Sequence, residues 1–574
     1  MLEKTDKPAK KIAGYSLHVA KAIALCLMAS FAILSVRKTP LLDHVSQEKT
    51  HVCHISDYVR PESYFQDNST LVKIVHDADF RKKSAAKLSA AVRVATHVSD
   101  TAPSVEEDPR YWREKFGPFH SFLKSTFPLL WTFCQIEKAN EWGLVITWTG
   151  SDPELKPILL GAHQDVVPIQ NATLDQWTHP PFDGVFDGEK LWGRGSADCK
   201  NLLIGLLEAA EELHASGFRP KRTIIFGFGF DEEIGGENGA RYIADVLRQR
   251  YGKDGLYAVI DEGGQSLVKH GDVSLALIGT SEKGSLNYVV GLNTPGGHSS
   301  VPPDHTSIGI ISDLVTRFEK APFPPAFTPR NPTFYEYQCI AEYSRELDQS
   351  LARAIRNSGT CAKASSFVAK SIHDSDLTNR YLVTTSQAVD IVFGGVKSNA
   401  LPEYAEVLIN HRIAVESSVE QVLSRNLDLV VSVAEEYDLG VEHGEQVISP
   451  RTKNGHFSIN NAALLEPAPF TPLYDDHWDL LAGSLRHVYE EVCAGTMGDF
   501  EGSTIIPAPG MAAGNTDTKH YWGLTNHIYR YRPGLVPSVQ AHAHGVDEHI
   551  VFDSHLQIIA FYYEYLQLVD SARD

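Results

Sequence analysis

Three things are scarce in this chain of 574 residues, and each closes off a class of function. Positive charge is in deficit. Lys and Arg number 52 against 72 Asp and Glu, a formal net charge of −20, which argues against nucleic acid as a partner. Cysteine is sparse and dispersed. The seven residues Cys26, Cys53, Cys134, Cys199, Cys339, Cys361 and Cys493 include no C-x-x-C pair, so a zinc-finger type of structural site is not indicated. Cys339 and Cys361 could pair, but sequence alone leaves the pairing open. Internal repeats and long low-complexity tracts are missing, so a repeat architecture is not in view. What is present is ordinary for a globular protein: 43% hydrophobic and 22% charged residues. The length is too great for one core and predicts two domains or more.

Long apolar runs are also rare, with one exception at the N-terminus. Residues 12–36 are largely apolar, interrupted by His18 and Lys21. The uninterrupted part, Ala22 to Val36, has the length of a signal h-region. Counted from Ile12 the stretch is long enough to span a bilayer, with Lys21 reaching toward the interface. Lys4, Lys7, Lys10 and Lys11 precede it, and basic residues favour the cytosolic side. Arg37-Lys38-Thr39-Pro40 follows, with no small-x-small cleavage site. We therefore expect an uncleaved transmembrane signal anchor, a membrane partner through it and a single-pass type II protein with a lumenal body. Secretion after cleavage is the alternative. Two glycosylation sequons fit either reading, Asn68-Ser69-Thr70 and Asn171-Ala172-Thr173, whereas Asn331-Pro332-Thr333 is excluded by its proline.

The chemistry-bearing residues gather at the ends of apolar runs. Ile158 to Leu160 leads into His163-Gln164-Asp165. Strand period places His163 and Asp165 on one side, where a neutral imidazole can bind a metal and a carboxylate can fix its tautomer. Asp198 stands just before a helix that carries Leu202, Leu203, Leu206, Leu207, Ala210 and Leu213 on one face; alone it would read as a helix cap. Thr223 to Phe230 is too apolar to face water and ends in Asp231-Glu232-Glu233. Leu256 to Ile260 ends in Asp261-Glu262-Gly263-Gly264. Adjacent acids after buried strands repel one another and lose hydration unless a cation compensates. In an open α/β sheet, ligands bind at the carboxyl ends of strands. The ligand types suit Zn²⁺, Co²⁺ or Mn²⁺.

The texture changes after Lys283. A strand, Gly284 to Leu292, is followed by Gly296-Gly297-His298-Ser299-Ser300, a helix near 307–318, strands near 389–393 and 405–413, and a helix near 418–437. Residues 340–385 resist assignment. The pattern predicts an α/β protein with a small α+β insert: a tail and anchor at 1–36, a stalk at 37–84, a catalytic domain at 85–282 and 465–574, and an inserted lid at 283–464.

The motifs GAHQDVVP, GRGSADCKN, DEEIGG, DEGG, GGHSS and HGVDE, in that order, resemble the M20 family of dizinc metallopeptidases and aminoacylases, from about residue 85 to the C-terminus. Together with the anchor and the GNTDTKHYW segment they are most similar to its fungal vacuolar Gly-Xaa carboxypeptidases. The resemblance implies a zinc-peptidase-like mixed sheet, a ferredoxin-like lid and dimerisation insert, two Zn²⁺ per subunit and vacuolar delivery. It implies that His163 and Asp261 bind one zinc, Glu233 and His544 the other, and that Asp198 bridges them. Asp165 would orient His163, and Glu232 would be the general base. His298 would stabilise the oxyanion, often from a partner subunit, and Asn399 and Arg412 would hold the substrate carboxylate and the transition state. Gly514-Asn515-Thr516-Asp517 departs from the commoner Gly-Gly-Thr-Asp. Cys199 reads as buried packing. Glu232 and Glu233 are neighbours on extended backbone and point oppositely, so they need different tasks. The implied substrates are short peptides. N-acyl amino acids, for a hydrolase or synthase of the same fold, are the second reading. An inactive receptor on a peptidase scaffold would require lost ligands, and none is lost.

Overall fold

The computed structural model describes residues 53–264, 266–535 and 541–574. Strands apolar on both faces belong at the centre of a sheet covered on both sides. Ile158–His163 and Ile224–Gly229 are buried at every position. They lie inside a nine-stranded mixed sheet. Its path runs Gln135–Ala139, Gly143–Trp148, Ile224–Gly229, Ile158–His163, Ala258–Asp261, Ile528–Arg530, Val273–Glu282, Ile505–Ala512, with Ser266–His270 paired to Val273–Glu282 off the path. The four consecutive strands from Ile224–Gly229 to Ile528–Arg530 are mutually parallel. Their carboxyl ends therefore share one edge.

Alternation sorts the side chains to the two faces. Ile158, Leu160 and Ala162 join Ile224, Phe226 and Phe228 in the largest core, with Leu202 and Leu206 of the helix Lys200–Ala215 and Ile558 and Tyr562 of the helix Phe552–Ser571. Leu159 and Ile225 face the other way, onto Ile243 and Leu247 of the helix Ala240–Tyr251.

A second sheet, of six strands, begins after Lys283. Its order is Ser386–Gly394, Tyr404–Ile413, Gly284–Asn293, His456–Leu465, Gly440–His443, Gln446–Ser449. The helices Ser307–Lys320 and Val419–Tyr437 pack on it around Leu286, Val290, Ile311, Leu314, Val407 and Val430. Lys283 alone separates the main-sheet strand Val273–Glu282 from the second-sheet strand Gly284–Asn293. The stretch that resists reading in the sequence forms the helices Pro332–Tyr343, Gln349–Asn357, Ala362–Ser375 and Leu377–Leu382. Phe334, Ile340, Ile355 and Val368 from these helices pack with Leu275, Leu277, Ile506 and Ala508 of the main sheet's edge, not with the second sheet.

The pairing that the sequence left open is Cys339 with Cys53; Cys361 is exposed and free. One expectation is corrected. The transmembrane signal anchor, with the type II topology, lumenal body and membrane partner inferred from it, is withdrawn: among the described residues no helix is long and apolar enough to cross a membrane. The stretch on which it rested, residues 12–36, lies outside the described residues. The architecture is an α/β fold with a mixed main sheet. Both sequon asparagines, Asn68 and Asn171, are exposed.

Candidate metal centre

Parallel strands deliver the site. The strand Ile158–His163 ends on His163, whose Nδ1 lies 2.9 Å from the Asp165 carbonyl oxygen and 3.4 Å from its carboxylate. The Asp165 carboxylate also accepts from the backbone N–H of Glu232 at 3.2 Å and of Glu233 at 3.0 Å. Asp165 thus ties the His163 strand end to the acidic turn after Ile224–Gly229.

With Nδ1 committed, Nε2 of His163 faces the cluster. It stands 3.2 Å from Asp198 Oδ1 and 3.3 Å from Glu262 Oε1. Nε2 of His544 stands 3.2 Å from Asp198 Oδ2 and 3.0 Å from Glu233 Oε2. Asp198 therefore presents one carboxylate oxygen to each histidine. Two groups of ligating atoms meet at it: His163, Asp198, Cys199 and Glu262 on one side, and Asp198, Glu233 and His544 on the other.

The charges of the cluster suit a divalent cation. Burial pushes Asp198 up, but hydrogen bonds from His163 and His544 outweigh it and hold the carboxyl well below its usual range. Those bonds raise His544 to about 10, with Asp198 the larger cause and Glu233 the next. Burial, then the neighbouring Glu262, lift Glu232 well above an ordinary carboxyl, and burial carries Glu262 to about 7. Oε1 of Glu233 is buried without a hydrogen-bond partner. Two imidazoles and three carboxylates with such an orphaned oxygen fit divalent cations, whose binding would take the place of these protons.

The structure brings His163, Asp165, Asp198, Glu232, Glu233 and His544 together. It does not bring Asp261 to the ligating atoms. Asp261 shares the strand parity of Val259, and its carboxylate lies against Gly161, where a Cβ would come within 2.5 Å of it. Its Oδ1 accepts from Glu262 N–H at 2.8 Å. Glu262 takes the place beside His163. Period-2 reasoning, applied above to Glu232 and Glu233, would have separated Asp261 from Glu262 as well.

Arg412 reaches the site from the second sheet. It lines a cleft of about 770 Å³ with Glu232, Glu233, His544, Asn515, Asp517 and Lys519. His298 and Asn399 do not line it. His298 is exposed on a two-stranded ribbon, opposite Ala400, with Nδ1 taken by the Ser300 hydroxyl at 2.7 Å. Asn399 is exposed beside it, its carbonyl accepting from Ser299 N–H at 3.4 Å. Cys199 is buried, and its Sγ accepts from His163 N–H at 3.2 Å. Burial raises its thiol well above the usual value.

A residue the motifs contained without a role is Glu548. It is wholly buried. Its Oε1 accepts from the N–H groups of Gly195 at 2.9 Å, Ala197 at 3.0 Å and Asp198 at 3.2 Å, and its Oε2 pairs with Arg194. Glu548 therefore shapes the loop that carries Asp198.

Comparison with known proteins shows relatives and a shared fold. Carboxypeptidase S of Saccharomyces cerevisiae is 44% identical over 497 residues, 86% of this chain and 85% of that protein. An N-fatty-acyl-amino acid synthase/hydrolase of Mus musculus is 28% identical over 505 residues, 87% of this chain and 90% of that protein. The crystal structure of human carnosine dipeptidase 1 superposes with a TM-score of 0.59 at 13% identity, covering 89% of this chain and all of that one, a likeness of fold. The model of peptidase family M20/M25/M40 matches residues 159–568, a span that opens on the His163 strand and closes beyond His544 and Glu548. The chain belongs to that family, and the histidines and carboxylates meeting at Asp198 are its candidate metal centre.

Proposed function

We propose that this protein is a dizinc metallocarboxypeptidase that releases the C-terminal residue from short peptides of the Gly-Xaa type. The observation that carries the reading is Asp198, which offers its two carboxylate oxygens to His163 and His544 separately. That is what a carboxylate shared between two cations requires. We assign His163 and Glu262 to one ion, Glu233 and His544 to the other, and Asp198 to both. Bound zinc supplies Lewis acidity toward the scissile carbonyl and makes nearby water more acidic.

The remaining chemistry belongs to the chain. Glu232 lines the cleft and joins neither ligand group. We assign it the proton: it takes one from the attacking water and passes it to the leaving amine. Arg412 lines the same cleft; we assign it the C-terminal carboxylate, which a guanidinium can hold with two parallel hydrogen bonds. We assign His298 and Asn399 to oxyanion and substrate contacts that need movement of the second sheet or a second copy of the chain. The similarity to carboxypeptidase S supports peptides as substrates. Ile234, Ala463, Leu464 and Leu465 give the cleft an apolar wall, which keeps N-acyl amino acids as the second reading.

The test compares benzyloxycarbonyl-Gly-Leu with long-chain N-acyl amino acids, using wild type and Glu232→Gln. The carboxypeptidase reading expects faster cleavage of the peptide and at least about a 10²-fold loss of kcat in Glu232→Gln, with metal content unchanged. Preference for the N-acyl substrates would favour the second reading. Full activity in Glu232→Gln would remove Glu232 from the proton's path.

A further inference from the structure

Asn515 stands where the two sheets meet, and both ends of its side chain are engaged. Its Nδ2 donates to the carbonyl of Lys283 at 2.5 Å, and its Oδ1 accepts from Arg412 Nη1 at 2.7 Å. Lys283 is the single residue between the main-sheet strand Val273–Glu282 and the second-sheet strand Gly284–Asn293. The loop around Asn515 is pinned as well. The hydroxyls of Thr516 and Thr518 donate to the two oxygens of Glu282, at 2.7 Å and 3.0 Å. Glu282 is itself buried against Arg530 at 3.2 Å.

We propose that Asn515 is the positioning residue for Arg412, holding the guanidinium toward the cleft with a neutral amide so that its charge stays available for a substrate carboxylate. The inference rests on the carboxypeptidase reading of Arg412.

The amide is suited to this place in a way that its neighbours in size are not. Lys283 presents an acceptor and Arg412 presents a donor, so the residue between them must donate at one end and accept at the other. An amide does both, and the Lys283 carbonyl determines which end faces Arg412. An aspartate would set a carboxylate oxygen against the Lys283 carbonyl. It would also pair with Arg412 and compete with the anion that the guanidinium is there to meet. A glycine would leave Arg412 free to adopt other rotamers, and ordering it would then be charged against binding.

The experiment measures kcat and KM on a peptide with a free C-terminal carboxylate and on the same peptide with a C-terminal amide. Arg412→Met comes first. If it leaves the acid-over-amide preference intact, the Arg412 reading and the inference both fall. If it abolishes the preference, Asn515 is tested in turn. Asn515→Asp is expected to raise KM for the free acid about tenfold or more, to change KM for the amide by less than about threefold, and so to collapse the preference. Asn515→Gly, which asks nothing of the space around the loop, is expected to lower the preference partly, with kcat on the amide near wild type. Metal content accompanies each variant, because a loop merely needed for folding would lose metal and both substrates together. Retention of the wild-type preference in Asn515→Asp and Asn515→Gly overturns the inference while leaving Arg412 in place. An equal loss on acid and amide overturns it too.

Discussion

Removing the Glu548 carboxylate should unsettle the metal centre without touching a ligand. Glu548→Ala takes the acceptor from three backbone N–H groups at 195, 197 and 198 and leaves Arg194 without its charge partner. Arg194 is 4% exposed, so its charge would remain in a low-dielectric interior. Breaking a buried pair in this way costs roughly 3–5 kcal/mol. The loop that loses its template carries Asp198, and loss of an outer contact to a metal ligand typically lowers metal affinity by about 10–100-fold. Both effects are expected together in Glu548→Ala.

Glu548→Gln separates them. It keeps one oxygen for the three N–H groups but not the charge opposite Arg194. Most of the stability loss should remain while zinc affinity falls by less than about tenfold. Adding Arg194→Met removes the stranded charge and should recover much of the stability. Stability is read by urea unfolding of chelator-treated protein, and affinity by competition with a chromophoric zinc chelator. A folded Glu548→Ala protein that binds zinc within about twofold of wild type would refute the reasoning, because the Asp198 loop would then hold its shape without the carboxylate.

Three further outcomes are expected. Elemental analysis should find that Glu262→Gln loses one of two zinc equivalents while Asp261→Asn retains both, because Glu262, not Asp261, lies beside His163; the reverse result would restore Asp261 as the ligand. Cys339→Ser should lower stability by roughly 2–5 kcal/mol, the usual cost of a native disulfide, since the Cys53–Cys339 bridge spans 286 residues. Its zinc content should not change, and unaltered urea unfolding would count against a structural role for the bridge. Burial depresses His120 and His411 from 6.5 to about 4. The unfolded chain takes up these protons near pH 6.5 and the folded chain only near pH 4. Their contribution is therefore complete above about 6.5 and is lost as pH falls toward 4, by roughly 3 kcal/mol for each group. Replacing both with Gln should flatten the stability profile across that window, and an unchanged slope would show that other groups set it.

The main sheet and most of the site were legible because local pattern and tertiary position coincide there. Runs such as Ile224–Gly229 are apolar at every position, so they had to be central, and a parallel centre brings their acidic ends to one edge. His163 and Glu233 follow from that logic once a cation is supposed, whereas Asp198, before the helix Lys200–Ala215, took its role from the family resemblance. The choice between Asp261 and Glu262 needed one more step, the parity of a single residue. The Cys53–Cys339 pair had no local signal, because its partners lie 286 positions apart. Nor had the helices within 332–382. They lie in sequence between strands of the second sheet, yet Phe334 and Ile340 pack on the edge of the first.

Arg412 shows why a residue can be given a role by resemblance and still not be placed. Its strand, Tyr404–Ile413, belongs to the second sheet, and no periodicity in that strand says that one end of it meets the catalytic edge. The meeting depends on Lys283 alone separating the strands Val273–Glu282 and Gly284–Asn293 and on the loop 514–518 beside it, fixed to Glu282 by two threonines. A short junction allows little slack between Glu282 and Gly284, so whatever holds the loop also sets where the guanidinium lies. His298, on a separate two-stranded ribbon, and Asn399 beside it do not line the cleft. The difference between these residues lies in tethering: Arg412 is held at the junction by Asn515, and the roles proposed for His298 and Asn399 require motion or another chain.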